Sequence, residues 1–182
     1  SYIRLQQQVK PHFMFNNLNI LNSLVIENKN QEASSFIYKL AYLYRHMIEN
    51  EEESLVTIRE ELDFVNEYTD LMKVRFGSSF DVVNEIDEEI LPNFVVPCSI
   101  QLLIENAIKH NGGTTQTPLN IRMYNTATHI VIWNNRLKKN TCEPTTHIGL
   151  NYIQKLYSDL SPKELTVEST EEEFVVKLPI IK

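Results

Sequence analysis

The first 76 residues carry apolar side chains at helical spacing, and they are predicted to form a helical region. Around residues 36–48 two neighbouring apolar stripes share one segment, which gives a single helix a broad apolar arc. A helix with so wide an arc requires partners on more than one side. The stripes are Phe36, Leu40, Leu43 and Met47, and Ile37, Ala41, Tyr44 and Ile48.

A third apolar pattern follows, and its start carries a helix-capping signal. Thr57 is followed three positions later by Glu60, the spacing at which a hydroxyl and a carboxylate cap the first turn reciprocally. We therefore expect a helix that begins next to Thr57. Its apolar positions are Ile58, Leu62, Val65 and Met72.

After Gly77 the pattern changes to short alternating segments, which predicts strands and places a domain boundary near residues 76–79. The predicted strands are 80–86, 119–124, 129–134, 165–169 and 174–178. The strands 119–124 and 129–134 are expected to form one hairpin, and 165–169 and 174–178 another. Two helices interrupt them, one with Pro97 as its first residue and running to about residue 110, the other over 148–157. The predicted fold class is α+β: a helical region 1–76, then a sandwich over 77–182 with helices on one sheet face.

Composition removes several classes of function. The net charge is −7 and the pI is near 5.3, so the chain lacks the basic surface that neutralises nucleic-acid phosphates. Cys98 and Cys142 are far apart and do not have the spacing of a disulfide framework or a zinc site. These features favour a reducing, cytoplasmic environment.

No apolar run reaches the roughly 20 residues that cross a bilayer, and the start has no signal-peptide core. The chain starts within a helical pattern and without Met. We therefore expect a piece of a longer protein, with any membrane sensor region upstream.

His12 is the first candidate for chemistry. It follows Pro11 and precedes aromatic residues, so one interpretation is a histidine buried in the core. Helical spacing favours the alternative, because His12 shares a polar stripe with Asn16, Asn19 and Ser23, while Met14, Leu18, Leu21 and Val25 form an apolar stripe roughly opposite. The imidazole is then expected to face water, and Pro11 is expected to loosen the turn that carries it.

The string LQQQVKPHFMFNNLN resembles the phosphoacceptor box of LytS-like sensor histidine kinases. The matching positions are Gln8, Pro11, His12, Phe13, Phe15, Asn16, Leu18 and Asn19, with Met14 as a mild departure. The resemblance implies that ATP phosphorylates His12. The role is chemically reasonable, because a neutral imidazole nitrogen is a competent nucleophile near pH 7.

A second constellation lies on the helix predicted after Pro97. Its buried stripe is expected to comprise Ile100, Leu103, Ile104, Ala107 and Ile108. Asn106, Lys109 and His110 gather on another face, where an amide oxygen and two donors could hold a magnesium-bound polyphosphate. A polar helix surface without a ligand is the alternative.

The string QLLIENAIKH resembles the N box of GHKL-type (Bergerat) ATPase domains, in the form that accompanies PHFxFN in the same kinases. The resemblance implies that ATP and Mg²⁺ are the cofactors. Asn106 takes the position of the magnesium ligand, and Lys109 and His110 take positions beside the phosphates. Glu105 frequently accompanies them, and it could orient a water or the acceptor imidazole.

The resemblance weakens after the N box. The family has an Asp that binds adenine within a glycine-rich segment, but here that stretch is IVIWNNRLKKN, so Asn134 or Asn135 would have to meet the adenine amino group. The second glycine motif is reduced to His147-Ile148-Gly149-Leu150, where Gly149 and Leu150 keep the nucleotide-binding positions. The segment 136–147 is also short for a closing lid. These departures put nucleotide affinity in doubt.

The favoured interpretation is the cytoplasmic transmitter of a two-component sensor histidine kinase that phosphorylates itself on His12. Family resemblance suggests transfer to an aspartate of a response regulator, for which a LytTR-type DNA-binding protein is the candidate. The two apolar stripes of the second helix predict a homodimeric bundle. Two alternatives remain: a catalytically weak or inactive module that binds nucleotide or a partner, and a phosphate-releasing ATPase of the GHKL group.

Overall fold

The structure is a computed structural model that describes residues 2–49, 53–139 and 148–182. Cys142, His147 and most of the segment 136–147 lie outside these residues. The elements follow in chain order as α1 (Tyr2–Ile26), α2 (Asn30–Glu49), β1 (Val56–Thr57), α3 (Ile58–Phe76), β2 (Phe80–Asn84), β3 (Phe94–Val95), α4 (Ser99–His110), β4 (Leu119–Asn125), β5 (His129–Asn135), α5 (Ile148–Leu160), β6 (Thr166–Ser169) and β7 (Glu173–Pro179).

The chain divides into two compact units. The first comprises residues 1–52 and 67–77, and the second comprises 53–66 and 78–182. The helix α3 therefore contributes residues 58–66 to the second unit and 67–76 to the first. The functional domain boundary expected near residues 76–79 stays a prediction.

In the first unit, α1 ends in a turn that reverses the chain into α2. Asn28 adopts the left-handed backbone conformation with φ 58°, the amide of Asn28 donates to the carbonyl of Val25, and the amide of Lys29 donates to that of Leu24. These two hydrogen bonds form a Schellman motif, which ends a helix without leaving its last carbonyls unpaired. Of the two apolar stripes predicted for α2, the first is confirmed as a core face, because Phe36, Leu40, Leu43 and Met47 are all buried.

The buried face of α1 differs from the one that the apolar stripe predicts. Leu18 and Val25 are 44% and 53% exposed, whereas Phe13, Asn17 and Leu24 are buried. The Phe13 ring lies 6.1 Å from the ring of Tyr68. Near His12, apolar residues occur on several sides of α1, so periodicity alone does not determine which side is buried. In this chain the buried side is the one that contacts Tyr68.

The second unit is built on a five-stranded sheet in the order β2-β4-β5-β7-β6. The strand β2 runs parallel to β4, and the other neighbours are antiparallel, with Met123 opposite Ile132 in the first hairpin and Val167 opposite Val176 in the second. Along β4 buried Leu119, Ile121 and Met123 alternate with exposed residues, so one face is covered. Both predicted hairpins are confirmed.

The helix α4 contacts β4, β5 and α5, which completes an α+β sandwich and confirms the predicted fold class. The predicted start of α4 is corrected: the helix begins at Ser99, because Cys98 adopts φ 61° and interrupts the helical backbone. The two-residue strands β1 and β3, paired with Val56 opposite Val95, are too short to leave an alternating pattern in the sequence.

Candidate functional site

The helix α4 separates an apolar face from the polar side chains predicted to bind nucleotide. Ile100, Leu103, Ile104 and Ala107 are buried, as predicted for its core face, and Ile108 is half-buried. Asn106 and Lys109 are half-buried and His110 is exposed. The polar groups are thus accessible from a helix whose position is fixed by its apolar side, as a binding surface requires.

Asn106 and Gly149 come together although they are far apart in the sequence. A Cβ added at Gly149 would lie 3.8 Å from Nδ2 of Asn106 and 3.9 Å from Cδ2 of Leu102. Leu150, the next residue of α5, is half-buried. The structure therefore brings the two motifs identified in the sequence, the N box and the remnant of the second glycine motif, to one place.

Glu105 lies on a more buried side of α4 than its neighbour Asn106. Its side chain is 7% exposed, and Oε2 accepts a hydrogen bond of 2.8 Å from Nε2 of Gln101, one turn earlier. This geometry gives Glu105 a defined orientation. A direct role of Glu105 in the chemistry stays a prediction.

Asn134 and Asn135, the two residues predicted to reach adenine, lie at the end of β5. Asn134 is 3% exposed, and its Nδ2 donates to the carbonyl of Asn135 at 2.7 Å. The amide of Asn135 joins β5 to the start of β4: Oδ1 accepts from the backbone of Asn120 at 2.7 Å, and Nδ2 donates to the carbonyl of Pro118 at 3.3 Å. The adenine contact stays a prediction, and the geometry gives Asn135 a structural task.

The end of α4 holds the chain that leaves β5. Oδ1 of Asn111 accepts from the backbone of Leu137 at 2.8 Å, while its Nδ2 donates to the carbonyl of Ala107 at 2.8 Å. Nζ of Lys139 donates to the carbonyl of Lys109 at 2.7 Å. The sequence did not single out Asn111, because a bridge between distant segments leaves no local pattern.

Glu61 is the most deeply buried acidic group of the described residues, and the sequence did not single it out. It is 2% exposed. Oε2 accepts from the backbone of Cys98 at 2.9 Å, and Oε1 accepts from the backbones of Ile100 and Gln101 at 3.0 and 3.3 Å. Burial raises the pKa of Glu61 to about 7, against the three backbone donors, which lower it. A carboxylate from α3 therefore caps α4.

His12 lies on α1 in the first unit, next to buried Phe13. The residue is half-buried, so it lies between the water-facing position that the polar stripe predicts and a position sealed in the core. One turn further on, Asn17 is 1% exposed; its Nδ2 donates to the carbonyl of Phe13 at 2.7 Å, and its Oδ1 has no hydrogen-bond partner within the described residues. The buried side of the phosphoacceptor box, which includes Phe13 and Asn17, thus begins directly beside His12.

The polar residues of α4 are chemically suited to the phosphates of a magnesium nucleotide. An amide oxygen is a hard ligand suited to Mg²⁺, and Lys109 and His110 can donate to phosphate oxygens. At the predicted adenine side, the amide of Asn134 or Asn135 would stand where the resembled family has a carboxylate. In the described part of the chain no cluster of three or more His, Cys, Asp or Glu residues could hold a metal by itself.

Residues 2–80 match the sequence model of the histidine kinase family, which covers α1 to the start of β2. The chain is also 34% identical over 106 residues to the sensor histidine kinase/phosphatase LytS of Staphylococcus aureus, in strain Mu50 and equally in strain N315. The match covers 58% of this chain, which spans 18% of the length of that relative. The resemblance to LytS-like sensor histidine kinases is therefore confirmed.

One solved structure with a TM-score above 0.5 agrees with the fold. A bacterial phosphotransferase aligns with a TM-score of 0.56 at 13% identity, over 97% of this chain and 94% of that one. The catalytic domain of the histidine kinase ThkA aligns with a TM-score of 0.49 at 17% identity, over 70% of this chain and 99% of that one. Of the described helices, none is long and apolar enough to cross a bilayer.

Proposed function

We propose that this chain is the transmitter of a two-component sensor histidine kinase: it binds Mg·ATP in residues 77–182 and phosphorylates His12 in residues 1–76. The observation that carries the proposal is the presence in one chain of a partly accessible His12 within a phosphoacceptor box and of Asn106 placed beside Gly149. The match to the histidine kinase family over residues 2–80 and the identity to LytS support it.

In this mechanism Mg²⁺ would neutralise charge on the phosphates, and the chain would supply orientation. The amide oxygen of Asn106 would ligate the ion, while Lys109 and His110 would donate to phosphate oxygens. A neutral nitrogen of His12 attacks the γ-phosphorus. The new N–P bond forms as the bond to the bridging oxygen breaks, ADP leaves, and the imidazole proton passes to solvent.

The second half of the reaction would pass the phosphoryl group to an aspartate of a response regulator. A phosphorylated imidazole carries a labile N–P bond, so this transfer needs an acceptor and no further energy source. A regulator of the LytTR type is the specific candidate that the resemblance suggests. In the cell we place the chain on the cytoplasmic side, as part of a membrane sensor.

The first unit offers a surface for a second copy of the chain. An open apolar groove of about 580 Å³ runs between α1 and α2. Its lining includes Leu18, Leu21, Ile37, Tyr44 and Ile48. Exposed apolar surface of this kind is typical of an interface, and copies of one helix pair readily form a symmetric bundle. We propose a homodimer that displays two copies of His12.

The test is incubation of the purified chain with Mg²⁺ and γ-labelled ATP. Label that is acid-labile and base-stable, lost in His12→Gln and kept in His46→Gln, is the expected result. His46 is the matched control, because it is also a half-buried histidine of a helix in the same unit. Steady release of phosphate that persists in His12→Gln would instead identify an ATPase.

A nucleotide-binding module without kinase activity is the second candidate. It is favoured by one specific observation: both amide atoms of Asn135 are hydrogen-bonded to the backbone of residues 118 and 120, so they would have to be shared with an adenine ring. Measurable ATP binding, lost in Asn106→Ala but without any label on His12, would establish this alternative and overturn the kinase.

A further inference from the structure

Glu61 is a buried carboxylate that the proposed phosphoryl transfer does not use. Burying a charged group is costly unless several donors surround it, and Glu61 meets three backbone N–H groups of one helix start, those of Cys98, Ile100 and Gln101. The positive end of a helix dipole points at the same place. The arrangement therefore holds α4 firmly to the part of α3 that lies in the second unit.

The cap on α4 is unusual because it comes from a distant part of the chain. A helix is ordinarily capped by the residue just before it, but Cys98 makes no side-chain capping bond and adopts φ 61°. Glu61 is 37 to 40 positions before the residues whose backbone amides it accepts from. The position of the start of α4 thus depends on α3.

The same helix carries Asn106, less than two turns beyond Ile100 and Gln101. A short helix is stiff over that distance, so a shift or tilt at its start moves Asn106 by a similar amount. A displacement on the order of 1 Å at a binding group is enough to lower its contribution substantially. Glu61 can therefore influence the nucleotide site without touching the nucleotide.

The start of α4 is also tied to α5, the helix that carries Gly149. Oγ of Ser99 lies 3.2 Å from the hydroxyl of Tyr157, which also accepts from the backbone of Val96 at 3.2 Å. At the other end of this helix pair Asn106 meets Gly149. The two helices therefore run antiparallel, and the position of α4 decides how Asn106 faces Gly149.

We propose that Glu61 is a positioning residue of the nucleotide site, which holds α4 so that Asn106 meets Gly149 in the geometry needed for Mg·ATP. The inference rests on the proposed function. It adds that affinity for the nucleotide depends on a carboxylate outside the N box.

The experiment compares Glu61→Ala and Glu61→Gln with Leu178→Ala in the 182-residue chain. Leu178 is fully buried on β7 and serves as a control that loses stability without a change at the start of α4. Binding of Mg·ATP is measured by titration calorimetry, and stability is measured by urea unfolding followed through the fluorescence of Trp133. The chain has one tryptophan, and it lies on β5 in the second unit.

The expected result is that Glu61→Ala weakens ATP binding by about 10-fold to 100-fold, the range found when a supporting group is lost. Glu61→Gln is expected to restore part of the affinity, because its amide oxygen can still accept from Ile100 and Gln101. Leu178→Ala is expected to bind ATP within about 3-fold of the unaltered chain. Rescue by glutamine separates positioning from a general loss of stability.

Two results would overturn the inference, and they are distinguishable. Unaltered affinity in Glu61→Gln and in any folded Glu61→Ala, while the unaltered chain binds ATP, would remove Glu61 from the site and leave the proposed function standing. Failure of the unaltered chain to bind ATP would remove the proposed function itself, and the positioning role with it.

Discussion

The two compact units differ in how completely they bury their own apolar side chains. Within the described residues eleven large apolar side chains are exposed; eight of them lie in the first unit and three in the second. The exposed set of the first unit is Phe15, Leu18, Val25, Ile26, Ile37, Tyr38, Tyr42 and Ile48. The second unit buries most of its large apolar side chains within one chain, whereas the helices of the first unit leave many of theirs exposed.

The comparison shows that an apolar pattern predicts burial within the chain in one unit but not in the other. In the second unit strand alternation and helix stripes both point into a shared core, so pattern and packing agree. In the first unit Met14 and Leu21 line an open groove, and Leu18 beside them is exposed. In the proposed homodimer this apolar stripe would contact the second copy instead of the core of its own chain.

The largest effect is expected from placing charges in the groove. In Ile37→Glu/Ile48→Glu two carboxylates would be buried without partners if the dimer formed, so we expect dissociation to increase by more than about 1,000-fold, or roughly 4 kcal/mol. Sedimentation across a range of concentrations measures it. Val83→Glu, which changes an exposed apolar residue of the second unit, is the control and should leave the mass unchanged. A double variant that stays dimeric would remove this surface as the interface.

A cavity in the second unit should lower stability by a comparable amount without changing the association state. Leu178→Ala removes a side chain with 0% exposure from β7, and we expect a loss of about 3 kcal/mol in the free energy of unfolding. Urea unfolding monitored by Trp133 fluorescence reports it. A loss of less than about 1 kcal/mol would contradict the close packing of Leu178 in the core of the second unit.

Glu61 makes the stability of the second unit depend on pH. Its folded pKa is about 7, above the ordinary value of 4.5, so the folded protein binds the proton more tightly in that window. The free energy of unfolding should therefore fall as pH rises from about 4.5 to about 7, by at most about 3 kcal/mol. Urea midpoints near pH 5 and near pH 8 test it. Glu61→Gln should lose this part of the slope, and an unchanged slope would contradict the assignment.

The capping box of α3 should give the smallest change. The backbone amide of Glu60 donates to Oγ1 of Thr57 at 3.2 Å, and that of Thr57 donates to Oε2 of Glu60 at 2.8 Å. Thr57→Ala removes the first of these bonds and should cost about 1 kcal/mol. The matched control is Thr115→Ala, an exposed threonine in a loop of the same unit. Equal midpoints in the two variants would show that the box adds nothing measurable.

Sequence patterns predicted the local features of the fold. The box at Thr57, the two hairpins and the core face of α4 all depend on residues within a few positions of one another, and each is confirmed. The packed side of α1 was not predicted, because it depends on Tyr68, more than 50 positions away. The pair of strands β1 and β3 was not predicted, because a strand of two residues is too short to show alternation of apolar and polar residues.

The candidate site divides in the same way. Asn106 and Gly149 were identified from motifs, and the structure brings them together. Glu61 was not identified, since a glutamate on the first turns of a helix ordinarily lies in solvent and nothing in its neighbours reveals three backbone donors. Asn111 was missed as a bridge to Leu137 for the same reason. Contacts between distant segments are the part of a site that local patterns do not record.

The parallel pairing of β2 with β4 has a consequence for folding. The hairpins β4–β5 and β6–β7 join residues close in sequence, so they can form early, whereas β2 reaches β4 only across the long connection 85–118. That connection contains α4. We therefore expect this edge of the sheet, and with it the packing of the helix that bears Asn106, to form in the last and slowest phase of refolding.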